Sequence, residues 1–409
     1  MSTPKLSDAI PVWIKIGLLS FGGPAGQIAL MQDEVVTRRG WVPSASFDRG
    51  LAFSMMLPGP EAQQLATWLG WRLHGLIGGI IAGLAFIVPG AALMIGLAWI
   101  AAAHGDVPII AALFAGVQPV VIALVLMAMG KIAGRALKSP IAWALAVAAF
   151  ASLSLLGVPF PVVVALAAIA GLLMPSASEV AEPAETTRVL GHAAVTLAIS
   201  AGIILAVFIA VRVAAGADPF DDVAQLFTTA ALVTFGGAYA VLPFVADQAV
   251  ETYGWLSPAA MLNGLAIAEA TPGPLILVNT YAGYFAGWTG PGSAATAAFS
   301  GALATFYTFA PSFGLILAFA PAVEQIHAIP WARKALAGIS AAVVGVIANL
   351  AVYLAEAAFL PSGLEDPEWV KIVLFAIALG LVFVAKISAL PLIGFGLAAG
   401  AGLHIIGLL

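Results

Sequence analysis

The chain contains no cysteine. That excludes a disulfide framework, a thiolate metal site, cysteine-linked haem and a cysteine nucleophile. Charge is scarce as well: charged residues make up 9% of the 409, against about 25% in ordinary soluble domains. The five histidines, His74, His104, His192, His327 and His404, are scattered without metal-ligand spacing. His-Glu-x-x-His is absent, as are Gly-x-x-x-x-Gly-Lys-[Ser/Thr], paired acidic motifs and a recognisable serine nucleophile motif. An intramembrane enzyme is therefore only a remote alternative, and no cofactor or metal is expected. The net charge of −5 arises mainly from acidic stretches around Glu179 to Glu185, Asp218 to Asp222 and Glu365 to Glu368. It carries no nucleic-acid signature.

What is present is apolar. Hydrophobic residues account for 62% of the chain and the mean hydropathy is +1.08. Uncharged runs extend over Leu76 to Ala103, Val107 to Gly130, Ser139 to Ser178, Ala193 to Val211, Ala270 to Val323 and Ala335 to Ala355. A spanning helix needs about 20 such residues, so the longest runs hold two spans each. The composition predicts an all-α polytopic membrane protein whose surroundings are the lipid bilayer. The N-terminal Met1 to Ser20 carries Lys5 and Lys15 without a small-residue cleavage pattern, and is expected to be retained.

Residues 21–60 recur without a gap at 235–274, at a constant offset of 214. Fourteen pairs are identical, among them Phe21/Phe235, Gly22/Gly236, Gly23/Gly237, Trp41/Trp255, Pro58/Pro272, Gly59/Gly273 and Pro60/Pro274, and seven of the fourteen are Gly or Pro. Apolar periodicity and proline punctuation predict thirteen spans: 10–31, 47–71, 75–103, 107–130, 139–156, 158–175, 193–214, 223–246, 260–286, 293–320, 334–356, 369–385 and 388–408. The repeated Phe-Gly-Gly sits in the first and the eighth. Seven spans is an odd number, so the halves are expected to face opposite ways, as an inverted-topology repeat. The corresponding division is a repeat at 1–178, a linker with an extra helix at 179–222, and a repeat at 223–409. With the N-terminus cytoplasmic and the C-terminus outside, ten basic residues fall on the cytoplasmic side. Arg38, Arg39, Arg49, Arg212 and Lys371 fall opposite, a modest positive-inside bias. Gly/Pro breaks leave the first two spans of each half open to a re-entrant course.

Paired, Gly/Pro-interrupted apolar segments at matching places in two halves point to a transporter's binding site. Phe21-Gly22-Gly23-Pro24 and Pro58-Gly59-Pro60-Glu61-Ala62-Gln63-Gln64 interrupt the first half. Phe235-Gly236-Gly237 and Thr271-Pro272-Gly273-Pro274 interrupt the second. Half-helix starts expose unpaired N–H groups and a partial positive charge, so several together form an anion cradle without lysines. Gln27, Gln63, Gln64 and Thr67 follow the breaks in one half, and Asn279, Thr280 and Tyr281 in the other. Single Gly and Pro residues are common in membrane helices and often serve only packing; the duplication is what raises this set above that reading. Glu61 and Glu269 are carboxylates at membrane depth, costly to keep charged, and are candidates for carrying a proton. Glu61 serving only as a helix cap, and Glu269 pairing with a base such as Lys15, are the alternatives. Arg72 and His74, at a membrane end, either snorkel to headgroups or form an anion vestibule. Trp41 and Trp255 are expected as interfacial anchors.

Phe21-Gly22-Gly23-Pro24, Trp41, Gly50-Leu51-Ala52, the run Leu57 to Ala66, Gly70-Trp71-Arg72-Leu73-His74-Gly75 and Val88-Pro89-Gly90 resemble the signature of the chromate ion transporter family. The second half repeats part of it, so the chain is similar to the long, two-domain form. The resemblance implies export of chromate across the inner membrane, driven by a proton or charge gradient, and chromate resistance. It also implies competition by sulfate-like oxyanions. A homodimer is left open, and another small anion is the alternative substrate. The second half departs from the pattern, since Ala238 stands where Pro24 would repeat, and Leu275-Ile276-Leu277-Val278 replace Glu61-Ala62-Gln63-Gln64. Most substrate chemistry is therefore expected in the first half.

Overall fold

Helices stop where glycine and proline interrupt the apolar runs. The computed structural model describes residues 4–21, 23–173, 186–289, 292–323 and 330–408, and every regular element among them is helical. The α-helices are α1 (Leu6–Leu19), α2 (Gly23–Gln32), α3 (Ser44–Ser54), α4 (Glu61–His104), α5 (Pro108–Ala136), α6 (Pro140–Ser154), α7 (Phe160–Leu172) and α8 (Thr186–Ala215). They continue with α9 (Phe220–Val233), α10 (Ala238–Asp247), α11 (Pro258–Ala270), α12 (Val278–Thr289), α13 (Ala294–Phe319), α14 (Pro330–Phe359), α15 (Trp369–Phe383) and α16 (Ala389–Ile405). Gly22 and the 178/179 domain boundary lie outside the described residues. Among the described residues, five stretches are long and apolar enough to cross a bilayer: Glu61–His104, Pro108–Ala136, Gly191–Ala215, Ala294–Ala322 and Arg333–Phe359. This is a polytopic all-α membrane architecture.

Residues 10–31, 47–71, 223–246 and 260–286, expected as single spans, are each two helices folded back on one another. Lys15 Nζ lies 2.8 Å from Glu34 Oε1, whereas nineteen residues of straight helix would separate them by about 28 Å. Arg72 donates to Ser46 Oγ at 3.2 Å, and a Cβ on Gly50 would lie 2.3 Å from the Trp68 ring. In the second half the Phe227 and Trp255 rings are 6.2 Å apart, and a Cβ on Gly264 would lie 2.5 Å from Tyr281. The reason is length. Arms of 10 to 14 residues, extended by π-helical turns to Arg38 after α2 and to Thr252 after α10, reach about 15–24 Å, short of a hydrocarbon core of about 30 Å. The break expected between 71 and 75 is present: α4 turns at His74 and Gly75, where Gly75 has φ 62°, and Gly70 packs against Gly78.

Hydrogen bonds recur at the offset of 214. Ser20 Oγ bonds Ile16 O as Thr234 Oγ1 bonds Ala230 O. Trp41 N donates to Val35 O, and Trp255 N to Ala249 O, both at 2.8 Å. Gly40 and Gly254 take φ 61° and 62°. The distal helices pack crosswise: α5 is gripped by α15 and α16 from the other half, and α14 by α6 and α7. Gly116 meets Gly396 and Gly400, and Gly171 meets Gly338, the small-residue contacts that let membrane helices approach closely. One apolar core gathers the hairpins of the first half around Trp13, Phe47, Trp68 and Phe86. The other holds the rest of the molecule. Trp255 belongs to that second core, 6% exposed and stacked on Tyr253, so it is a packing residue and not an interfacial anchor. Trp41 is partly exposed beneath the Arg39 guanidinium.

Candidate functional site

Each break surrenders helical hydrogen bonds, and the freed groups are met across the molecule. Gly59 N donates to Thr234 O at 2.8 Å, and Gly273 N donates to Ser20 O at 3.0 Å. The two bonds are equivalents at the 214 offset, so the tip of each half's second hairpin hangs from the first hairpin of the other half. Gln27, 1% exposed, donates from Nε2 to Gly273 O at 2.7 Å and reinforces one of these links. Gln64 Nε2 donates to Pro58 O at 2.7 Å. Phe21, Gly23, Pro24, Pro58, Gly59, Pro60, Gly236, Gly237, Pro272, Gly273 and Pro274 therefore lie at linked tips.

The four helix starts at the tips are not equally open. Gly59, with φ 120°, is filled: a Cβ there would lie 2.1 Å from Ser312 Oγ and 2.9 Å from Gln64 Nε2. Pro272 O packs against Gly90, where a Cβ would come within 2.1 Å. By contrast, nothing among the described residues lies within 4 Å of a Cβ built on Gly23 or Gly236. Gly237 caps α10 with φ 104° and is faced, among the described residues, by Glu61 alone, both carboxylate oxygens being 3.7 Å from its Cβ position. Room for a ligand beside the backbone is thus at Gly23, Gly236 and Gly237, and Gly59 serves the packing of the tip.

Carboxylates lie close to the α10 start. Besides Glu61, Glu269 is 8% exposed and accepts a hydrogen bond from Tyr239 Oη in the first turn of α10. Lys15 pairs with Glu34 and not with Glu269. At the matching positions around α2 stand Leu275, Ala25 and Met55, all uncharged. Two similar helix starts therefore differ in charge: the α2 start is neutral and the α10 start is acidic.

Neutral polar groups complete the site. Gln27 Oε1, Gln64 Oε1, Asn279 Oδ1 and Ser312 Oγ are buried without a partner among the described residues. Asn279 Nδ2 donates to Thr308 Oγ1 at 3.1 Å. Thr308 and Ser312 share a face of α13, four residues apart, and neither was singled out from the sequence. Their only sequence signal is hydroxyls at helical spacing within an apolar run. Gln63 points elsewhere, donating to Thr67 Oγ1 at 2.8 Å beside Gly83 of the long arm of α4. Arg72 bonds Ser46 and His74 Nε2 meets Pro4 O at 2.8 Å. Both tie the hairpin bases together and stand away from the tips. A cavity of about 710 Å³ between α4, α8 and α13, lined by Leu84, Ile203 and Phe313 among others, contains none of the tip residues.

The sequence profile of the chromate transporter family matches residues 8–172 and 222–403, that is, both halves. The chain belongs to the chromate transporter family. A chromate transport protein of Pseudomonas aeruginosa is 34% identical over 373 residues, covering 87% of this chain and 82% of that protein. A probable chromate transport protein of Synechococcus elongatus is 26% identical, covering 93% and 96%. A chromate transport protein of Cupriavidus metallidurans is 25% identical, covering 87% and 84%. No solved structure matches the chain. Within this member of the family, the matched regions contain every break and every tip hydrogen bond described above.

Proposed function

We propose that this protein is a secondary transporter that moves chromate out of the cytoplasm across the inner membrane, on an inverted-repeat scaffold. The observation that carries the reading is the crossed pair of bonds, Gly59 to Thr234 and Gly273 to Ser20. Equivalent contacts exchanged between halves are what a two-fold axis produces, and an odd number of full crossings between the hairpin sets, by the long arm of α4, by α5 and by α8, would lay that axis in the membrane plane. In this reading the hairpins α1–α2 and α3–α4 enter from one face, and α9–α10 and α11–α12 from the other. The long arm of α4, α5, α8, α13 and α14 cross fully, and α6–α7 and α15–α16 form two further, shorter hairpins.

Sidedness follows from charge. Turning the first two segments into hairpins moves Arg38, Arg39 and Arg49 to the N-terminal face. Of the fifteen basic residues, twelve then share that face, leaving Arg212 and Lys371 opposite and Lys386 at the tip between α15 and α16. That is a far stronger positive-inside bias than thirteen spans give, and it supports a cytoplasmic N-terminus.

The chemistry proposed for the tips needs no metal. First-turn N–H groups at the α2 start, with Gln27 nearby, replace the hydration of a tetrahedral dianion. Gln64, Asn279, Thr308 and Ser312 supply the neutral polar surroundings. Glu61 carries the proton. A charged Glu61 about 5 Å from a dianion would repel it by roughly 6–7 kcal/mol at an effective dielectric near 20, so anion and bare carboxylate exclude one another. Sulfate, a dianion of the same shape, is the expected competitor. Uptake of labelled chromate by inverted membrane vesicles, with and without an imposed proton gradient, tests the reading. Uptake that requires the protein and responds to the gradient supports it, and uptake indifferent to both rejects it.

A further inference from the structure

Between Arg212 and Arg333 the chain has no lysine or arginine. That stretch contains both tip-bearing hairpins of the second half, and their bases contrast with those of the first. At the base of α1–α2, three cations gather on one buried carboxylate. Glu34, 1% exposed, lies 2.8 Å from Lys15 Nζ and 3.3 Å from Arg38 Nη1, and it also pairs with Arg39. The Lys15, Arg38 and Arg39 side chains remain 42%, 60% and 29% exposed, so the surplus positive charge faces outward. Arg38 also holds Asp33 at 2.7 Å. Arg49 and Arg72 stand beside them, both reaching Ser46.

At the offset of 214 these positions become Thr229, Gln248, Thr252, Tyr253, Asn263 and Ala286. Every cation is gone. Asp33 persists as Asp247, and Thr37 is replaced by Glu251; both acids are exposed, Glu251 accepting a hydrogen bond from Tyr353 at 3.0 Å. Asp218, Asp221 and Asp222 stand at the start of α9, and among the described residues only Asp221 forms an ion pair, with Arg212. Burial and the neighbouring Asp218 and Asp221 push the Asp222 carboxyl above the usual carboxylate range.

We propose that the two sets of hairpin bases are the mouths of the transport path, and that their opposite charge makes oxyanion capture faster from one face than from the other. Oxyanions are collected at the cationic mouth and, once released, are turned away by the acidic one. The proposal rests on the transport reading above. Membrane insertion alone does not account for it, because the positive-inside bias depends on basic residues and acids add little. The five acids at the second mouth, and the gathering of three cations on Glu34, need another cause. Fields of this kind change encounter rates by about 10- to 1,000-fold and fade with ionic strength.

The test uses the full-length protein in proteoliposomes of sorted orientation, with initial chromate rates taken from each side at low and physiological salt. For the unaltered protein, KM from the Arg38 side should rise at least about threefold with salt, and KM from the Glu251 side should fall. Asp247→Asn combined with Glu251→Gln should lower KM from its own side at least about threefold at low salt, leaving the Arg38 side unchanged. Equal salt dependence from both sides overturns the proposal, as does an unaltered KM in the double variant. The first measurement needs no substitution and so survives a variant that fails to fold. Absence of chromate movement from either side at any salt overturns the transport reading itself, a result distinct from flux without asymmetry.

Discussion

The Glu61 carboxylate lies over Gly237, at the start of a helix from the other half of the molecule, with both oxygens 3.7 Å from the position a Cβ would take. Among the described residues no basic side chain forms an ion pair with it. A tethered anion at a helix start stands where a free anion is favoured. Glu61 and a substrate oxyanion therefore contend for the same kind of ground.

Glu61→Gln should retain chromate binding and lose the pH dependence of net transport. Protonation removes the repulsion, so proton and anion binding favour one another, which is the sign of symport. Antiport is preserved if the proton travels on the empty return step. Binding and flux measured across the neutral pH range, for both proteins, decide whether Glu61 carries the proton. An unchanged pH profile in the variant moves the role to Glu269 and Tyr239.

Single cysteines report sidedness without background, because the chain has none of its own. Ser7→Cys and Thr37→Cys should react with an impermeant thiol reagent from one face, and Thr252→Cys from the other. Labelling of Thr37→Cys from the face opposite Ser7→Cys would restore the thirteen-span course. Labelling of Thr37→Cys and Thr252→Cys from the same face would remove the inversion.

Gly59→Ala tests the tip as a packed joint. The residue combines φ 120° with a contact to Ser312 that leaves no room for a methyl group. Strain of this kind costs about 1–3 kcal/mol, before the clash is counted. Thermal stability in detergent should fall, and adding Ser312→Gly should recover the part due to the clash but not the part due to φ. Full recovery would mean that backbone strain contributes nothing.

Glu34→Gln leaves three cations facing one another. Their partial exposure lets water screen much of the repulsion, so the loss should be about 1–2 kcal/mol and not the 3–5 kcal/mol of a fully buried broken pair. Melting curves should show it, and the loss should shrink as salt is raised. A loss insensitive to salt would indicate a packing defect in place of an electrostatic one.

The breaks were legible because Gly and Pro leave a mark that a duplicated sequence repeats. Their three-dimensional course was not. Two arms of about 12 residues and one span of about 24 have the same apolar length, and only contacts such as Lys15 to Glu34 distinguish them. Gln27, Gln64 and Asn279 were found by their proximity to the breaks. Ser312 and Thr308 were missed because α13 lies outside the repeated stretch, and the matching positions 98 and 94 hold Ala and Met. Gly59 was found as part of a repeated break, but sequence shows its missing side chain and not the Ser312 hydroxyl that fills the place.

Alternation imposes a demand on any carrier: its two doors must never stand open together, or the gradient drains. On the inverted-repeat reading proposed above, the crossed bonds at Thr234 and Ser20 would meet that demand mechanically. Neither hairpin tip could then withdraw without tugging on a carbonyl that belongs to the opposite door, so the opening of one side would be felt by the lock of the other. Such an interlock is made of backbone atoms alone. Drift of the side chains around it, as the two halves have plainly drifted, leaves it in place.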